Sequence, residues 1–144
     1  MINDPDLSTL IKLLLVVRTD PFVQSLNDPT LSATIFAPTN KGITASANEL
    51  KKATSFDPTS LASNPDEILR IIKNHVVVGQ AYSGNQLKNG VVLTSALGNK
   101  LRVETGYLYG TYIKGEKNRV KVDLANNLVG RSYVQKVEGI IIPK

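Results

Sequence analysis

The chain has 144 residues, 42% of them hydrophobic and 20% charged, with a formal net charge of +5. Such a length suits one hydrophobic core, burying roughly two thirds of the surface an unfolded chain exposes, so residues 1–144 are expected to form a single domain. No cysteine is present, which excludes disulfides and thiol chemistry, and no run of about 18 apolar residues could cross a membrane as a helix.

Leu7, Leu10, Ile11, Leu14 and Leu15 recur at helical spacing and predict a first helix with one apolar face, capped by Asp4 or Asp6 with Pro5 in its first turn. Phe22, Val23 and Leu26 after Asp20-Pro21 predict a short second helical turn, and residues 27–30 a reversal. Thr34-Ile35-Phe36-Ala37-Pro38-Thr39-Asn40 reads as a short buried strand stopped by proline, with Thr39 or Asn40 placed to cap the next segment. Ser46–Ala53 reads as a peripheral helix. Asn64, Pro65 and Glu67 form a capping box ahead of Ile68, Leu69, Ile71 and Ile72, the buried face of a further helix.

After His75 the apolar period moves from helical towards two. Val76–Val78 reads as a strand, Val91–Leu93 and Leu101–Glu104 as a hairpin about residues 97–99, and Tyr107–Lys114 with Val120–Val122 as a second hairpin about residues 115–118. Tyr133–Val137 and Ile140–Ile142 close the chain as strands. Helices come first and short strands come after them, with no repeated strand-helix-strand unit, so the fold class is α+β.

Chemistry is sparse. His75 is the single histidine, and neither a His-Glu-x-x-His pair, an Asp-rich calcium loop nor a Gly-x-Ser-x-Gly elbow accompanies it, so no catalytic residue and no metal site is expected. Its place between an apolar helix and a valine run predicts a partly buried ring bonded to backbone or to a polar side chain. Gly106, Gly110 and Gly115 lack the spacing of a phosphate cradle. Three tyrosines, Tyr107, Tyr109 and Tyr112, fall within six residues; strand alternation puts Tyr107 and Tyr109 on one face and Tyr112 on the other unless Gly110 marks a bulge. Residues 100–144 hold nine Lys/Arg against four Asp/Glu, and Lys114, Lys117, Arg119, Lys121, Arg131 and Lys136 could attract a polyanion or serve as a solvated face. Nucleic acid is not an expected partner, because no RNA-recognition strand motif or Gly-x-x-Gly clamp occurs.

Three blocks together resemble the fasciclin domain family. Residues 34–40, TIFAPTN, look like its first motif; the helix from Asp66 into His75-Val76-Val77-Val78-Gly79 resembles its central helix and histidine segment; and Val134–Pro143, VQKVEGIIIP, resembles its closing motif. The resemblance implies helices packed around a wedge of two short, roughly orthogonal β-sheets, with Thr34, Phe36, Pro38, Thr39 and Asn40 as a structural corner. Four departures stand out: Ile43 where the family carries an aromatic, Asn74 where a tyrosine precedes the histidine, Val78 for a proline, and Gln135 where histidine is common.

The family likeness implies a non-catalytic, secreted or cell-surface module, any signal peptide lying outside this sequence. Two binding roles are expected. One is carriage of an elongated apolar ligand such as a carotenoid, by analogy with algal members; no cofactor is otherwise required. The other is adhesion to an extracellular polymer or protein. His75, Tyr82, Tyr107, Tyr109, Tyr112 and Ile43 are the candidate ligand or partner residues, and a homo-oligomer on ligand binding is allowed. The opposing class is an enzyme centred on His75.

Overall fold

The computed structural model describes residues 5–26, 30–45, 65–82, 86–107, 110–116, 118–129 and 132–141. The helix expected at 46–53, Asp4, residues 27–29 of the expected reversal, Asn64, Tyr109, Lys117, Arg131 and Ile142 lie outside them. A 3-10 turn at Pro5–Leu7 leads into α1, Ser8–Val16. The short α2, Pro21–Ser25, is capped by Asp20, whose Oδ1 accepts from Phe22 N at 2.9 Å, with Pro21 in the first turn where its missing N–H costs nothing. Strand β1 spans Ala33–Pro38, α3 is described over 40–45, and α4 spans Pro65–Asn74. Six more strands complete the chain: β2 Val76–Val78, β3 Val92–Thr94, β4 Lys100–Tyr107, β5 Gly110–Lys114, β6 Arg119–Val129 and β7 Ser132–Val137.

The strands form one seven-stranded ladder in the order β2-β1-β7-β6-β5-β4-β3. All neighbours are antiparallel except β1 and β7, which pair in parallel with Thr34 opposite Tyr133 and Pro38 opposite Val137. The register of β6 against β7 shifts between Asp123 and Asn127, an irregularity of the kind that bends a strand and divides a sheet into two limbs. The limbs share one interior. Phe36 and Val77 from one side and Leu93, Leu101, Val103, Ile113 and Val120 from the other belong to a single apolar cluster, and Ala96 N donates to Val76 O at 2.7 Å, bringing the two ends of the ladder together. This arrangement is barrel-like and consistent with a wedge of sheets around a common core.

Alternation along β1 sorts the rest. Phe36 points into the sheet interior, where it is fully buried, and Ala33 and Ala37 point to the helices. The helical side holds Val17, Val23, Ile68, Ile71 and Ile72, with a smaller cluster of Leu7, Leu10, Ala37 and Val134 beneath α1.

Four expectations are corrected. Leu15 is 50% exposed and Val16 42%, so the buried stripe of α1 is narrower than its spacing implied. The cap of α1 is not Asp6, which pairs with Lys136 at 3.4 Å; Asn40 supplies it from across the fold, accepting from Thr9 N at 2.8 Å. Tyr107 does not open the second hairpin: it ends β4 opposite Gly110, so Tyr107 and Tyr112 stand on different strands. Residues 140 and 141 are not a strand; side chains from distant segments hold them instead.

Candidate functional site

Helix α4 ends in a corner where Asn74 and His75 are buried. His75 Nδ1 lies 2.7 Å from Ile71 O, and Ile141 N donates to Nε2 at 2.9 Å. A nitrogen that accepts from an amide carries no proton, so the proton sits on Nδ1 and donates to Ile71 O. The backbone of His75 is occupied as well: its N donates to Ile72 O at 2.9 Å, and its O accepts from Phe36 N at 2.8 Å. Burial removes the water that would solvate an imidazolium and pushes the pKa from 6.5 to about 4, against the Ile71 hydrogen bond, which raises it. The ring is therefore neutral at pH 7, with both nitrogens committed to the main chain.

Asn74 completes the clamp. Its Nδ2 donates to Ile141 O at 2.8 Å, and its Oδ1 accepts from Asn99 Nδ2 at 2.9 Å and Ser95 Oγ at 3.2 Å. Adjacent side chains thus satisfy both main-chain groups of Ile141, and Asn118 Nδ2 takes Ile140 O at 2.8 Å. The closing segment needs no strand partner because these two amides and the His75 imidazole replace the ladder. This position of Asn74 was invisible in the sequence, where it registered only as a missing tyrosine.

A second polar set lies along β1. Thr34 Oγ1 donates to Gln80 O at 2.9 Å and accepts from Tyr82 N at 2.8 Å, strapping residues 80–82 to the strand. Gln135 is fully buried beside it, its Nε2 at 3.5 Å from Tyr82 O. Tyr82 is half-buried, packs against the sheet interior, and donates its hydroxyl to Gln80 Oε1 at 2.6 Å. Ile43 is half-buried against the clusters under α1 and α4. Thr39 and Asn40 both cap helices: Thr39 Oγ1 accepts from Gly42 N at 3.0 Å, while Asn40 Nδ2 reaches Ser8 Oγ and Pro5 O at the start of α1.

The outer face of β4, β5 and β6 is of another kind. Arg102 stands opposite Lys114, and Lys114 opposite Arg119; in the next register Glu104 stands opposite Tyr112, and Tyr112 opposite Lys121. Arg102, Lys114, Arg119 and Lys121 are exposed, with Lys100 and Val92 beside them on the same face. Glu104 Oε1 pairs with Arg119 Nε at 2.7 Å. A Cβ built on Gly110 would come within 3.3 Å of Tyr112 Cε2 and 3.4 Å of Lys121 Cε. The tyrosine ring therefore leans back over the glycine with the lysine stem beside it.

The structure does not gather the candidate residues into one place. His75 is enclosed at the α4–β2 corner, Ile43 lies on the helical side, Tyr82 lies by β1, and Tyr112 stands on the outer sheet face. Tyr107 ends β4, and Tyr109 is outside the described residues. Arg102 and Lys100 were missed as members of a surface. Their alternation with Leu101 and Val103 was the available signal.

A family model described as the fasciclin domain matches residues 5–143. Among solved structures, the chain is similar to a FAS1 domain pair from the insect cell adhesion molecule fasciclin I, with a TM-score of 0.77 at 17% identity. The match covers 97% of this chain and 48% of that one, so this chain spans about half of the pair. Comparison with curated proteins finds no match.

Proposed function

The chain belongs to the fasciclin domain family, and on that premise we propose that it is a non-catalytic, extracellular or cell-surface adhesion module that holds an anionic partner on the outer face of β4, β5 and β6. Fasciclin domains are generally non-catalytic interaction modules. The observation that carries the reading is the contrast between two sites. The imidazole that would lead an enzyme has its ring nitrogens and main chain engaged by the fold, whereas Arg102, Lys114, Arg119 and Lys121 face solvent on one surface. Attraction between such a surface and a polyanion is screened within about 8 Å at physiological salt, so it must weaken as salt rises. Immobilised poly-L-glutamate and polygalacturonate test this. Retention of the protein that falls steeply with salt, and falls again in an Arg102→Ser/Lys114→Ser variant, supports the reading; salt-independent retention, or none, defeats it.

One observation favours a second reading, carriage of an elongated apolar molecule such as a carotenoid. Leu15 and Val16 are exposed on α1, next to the half-buried Leu13 and Leu14, an apolar patch against which a long apolar molecule could lie. A visible absorption band that stays with the protein through gel filtration after mixing with pigment, at low and high salt alike, is its signature; loss of the pigment on the column rejects it.

A further inference from the structure

Resting on the assignment of an anionic partner to the outer sheet face, we infer that this partner is an acidic polysaccharide, whose sugar rings lie on Tyr112 while Arg102, Lys114 and Lys121 hold its carboxylate or sulfate groups.

Three features of the outer face lead there. First, like charges directly opposite one another destabilise a sheet, yet Arg102, Lys114 and Arg119 stand in one register across three strands. Glu104 relieves Arg119, while Arg102 and Lys114 make no ion pair among the described residues. Neighbouring strands lie about 4.8 Å apart, so the row is a ladder of closely spaced cations that a polymer with regularly repeated anions neutralises without bending. Second, Tyr112 occupies the centre of the next register, between Glu104 and Lys121, half-buried and leaning over Gly110. With no side chain at residue 110 to prop it upright, the ring lies along the strand and offers a flat apolar surface flanked by cations. A pyranose presents the matching pair, an apolar face of C–H groups and an anionic substituent. Third, apart from Tyr112 the described residues of this surface offer little of what an acidic protein partner would seek. Protein interfaces draw most of their energy from large apolar or aromatic anchors in desolvated pockets. On this face the exposed large apolar side chain among the described residues is Val92, at the edge strand β3.

The experiment compares polygalacturonate (carboxylated) and dextran sulfate (sulfated) with poly-L-glutamate, a polyanion without sugar rings, by fluorescence anisotropy at fixed ionic strength. Four proteins are used: wild type, Arg102→Ser/Lys114→Ser, Tyr112→Ser and Tyr112→Phe, each with its fold confirmed by circular dichroism. Wild type is expected to bind at least one polysaccharide more tightly than polyglutamate. The double cation variant loses affinity for every polymer, by about tenfold or more. Tyr112→Ser loses about tenfold on the polysaccharide alone, as removal of an aromatic anchor does, and Tyr112→Phe retains it. The arm that shows the tyrosine effect identifies the anionic group. Equal binding of polyglutamate with no Tyr112→Ser effect on any polymer overturns the polysaccharide assignment and leaves the anionic-partner reading standing. Failure of wild type to bind any of the three overturns both.

Discussion

His75 is held by four hydrogen bonds that all serve the main chain, and its protonation state is accordingly a stability term. The folded ring stays neutral down to about pH 4, while the unfolded ring takes up a proton below 6.5. Between those values the unfolded state binds more protons, so stability rises with pH. The contribution is complete above 6.5 and is lost as pH falls towards 4, amounting to about 3 kcal/mol. Urea unfolding at pH 7 and pH 4.5 is expected to show this loss in wild type and a smaller one in His75→Gln; equal losses would refute it. His75→Ala leaves Ile71 O and Ile141 N without their partner and is expected to cost about 2–4 kcal/mol at pH 7. Asn40 acts at the same scale. Removing its side chain uncaps α1 from 31 residues away, for an expected loss of about 1 kcal/mol in Asn40→Ala, read as a lower thermal midpoint. The sequence showed Asn40 as a capping residue but gave α3 as its natural customer; which helix it caps depends on tertiary approach, and local pattern does not carry that.

Among elements, α3 and the chain after β7 approach each other closely at Gly42. A Cβ on Gly42 would lie 2.6 Å from Glu138 C and Gly139 N, main-chain atoms that cannot rotate away. Gly42→Ala is expected to push α3 outward and destabilise the protein by about 1–3 kcal/mol, measured by denaturant midpoint; an unchanged midpoint would show that the contact is loose. On β5 the sign reverses. Lys114 stands between Arg102 and Arg119, so Lys114→Thr relieves like-charge repulsion and suits a strand, with stability expected to hold or rise by a few tenths of a kcal/mol while binding to acidic polymers falls. A clear loss of stability would contradict the proposed cost of the cation row. The elements themselves were largely legible: α4, the β3–β4 turn and the β5–β6 turn come from capping, periodicity and glycine. The β4–β5 reversal was not, because Tyr107 through Lys114 keeps a strand-like composition across the turn, and only pairing reveals that residue 107 faces residue 110. Residues 140 and 141 misled for the opposite reason. Their isoleucines suit a strand, but the partners that hold them are the amides of Asn74 and Asn118 and the imidazole of His75, all from distant segments.

Across the whole molecule, the three sequence blocks that resembled one family prove to be one structural unit. The first supplies β1, which pairs in parallel with β7 from the last; the histidine of the second takes Ile141 N from the last and gives its carbonyl to Phe36 N of the first. Each block is short and says little alone, and their joint spacing is what made the fold readable. Of the proposed binding surface, Lys114, Arg119 and Lys121 were named within a basic excess in residues 100–144 and Tyr112 apart from them, but net charge counts Lys136, which pairs with Asp6 on another face, on equal terms with Lys114. Strand register separates the two. A division of labour follows, in which the buried corner holds the fold and the outer sheet face is the proposed site of the partner. Nuclear magnetic resonance on the labelled protein, with and without polygalacturonate, reads both at once, since the chain has one histidine and its ring signals are unambiguous. Shifts are expected at the amides of Arg102, Tyr112, Lys114 and Lys121, with the His75 ring remaining in the Nδ1-protonated form and unmoved. Perturbation of the His75 ring with a silent outer face would contradict the account.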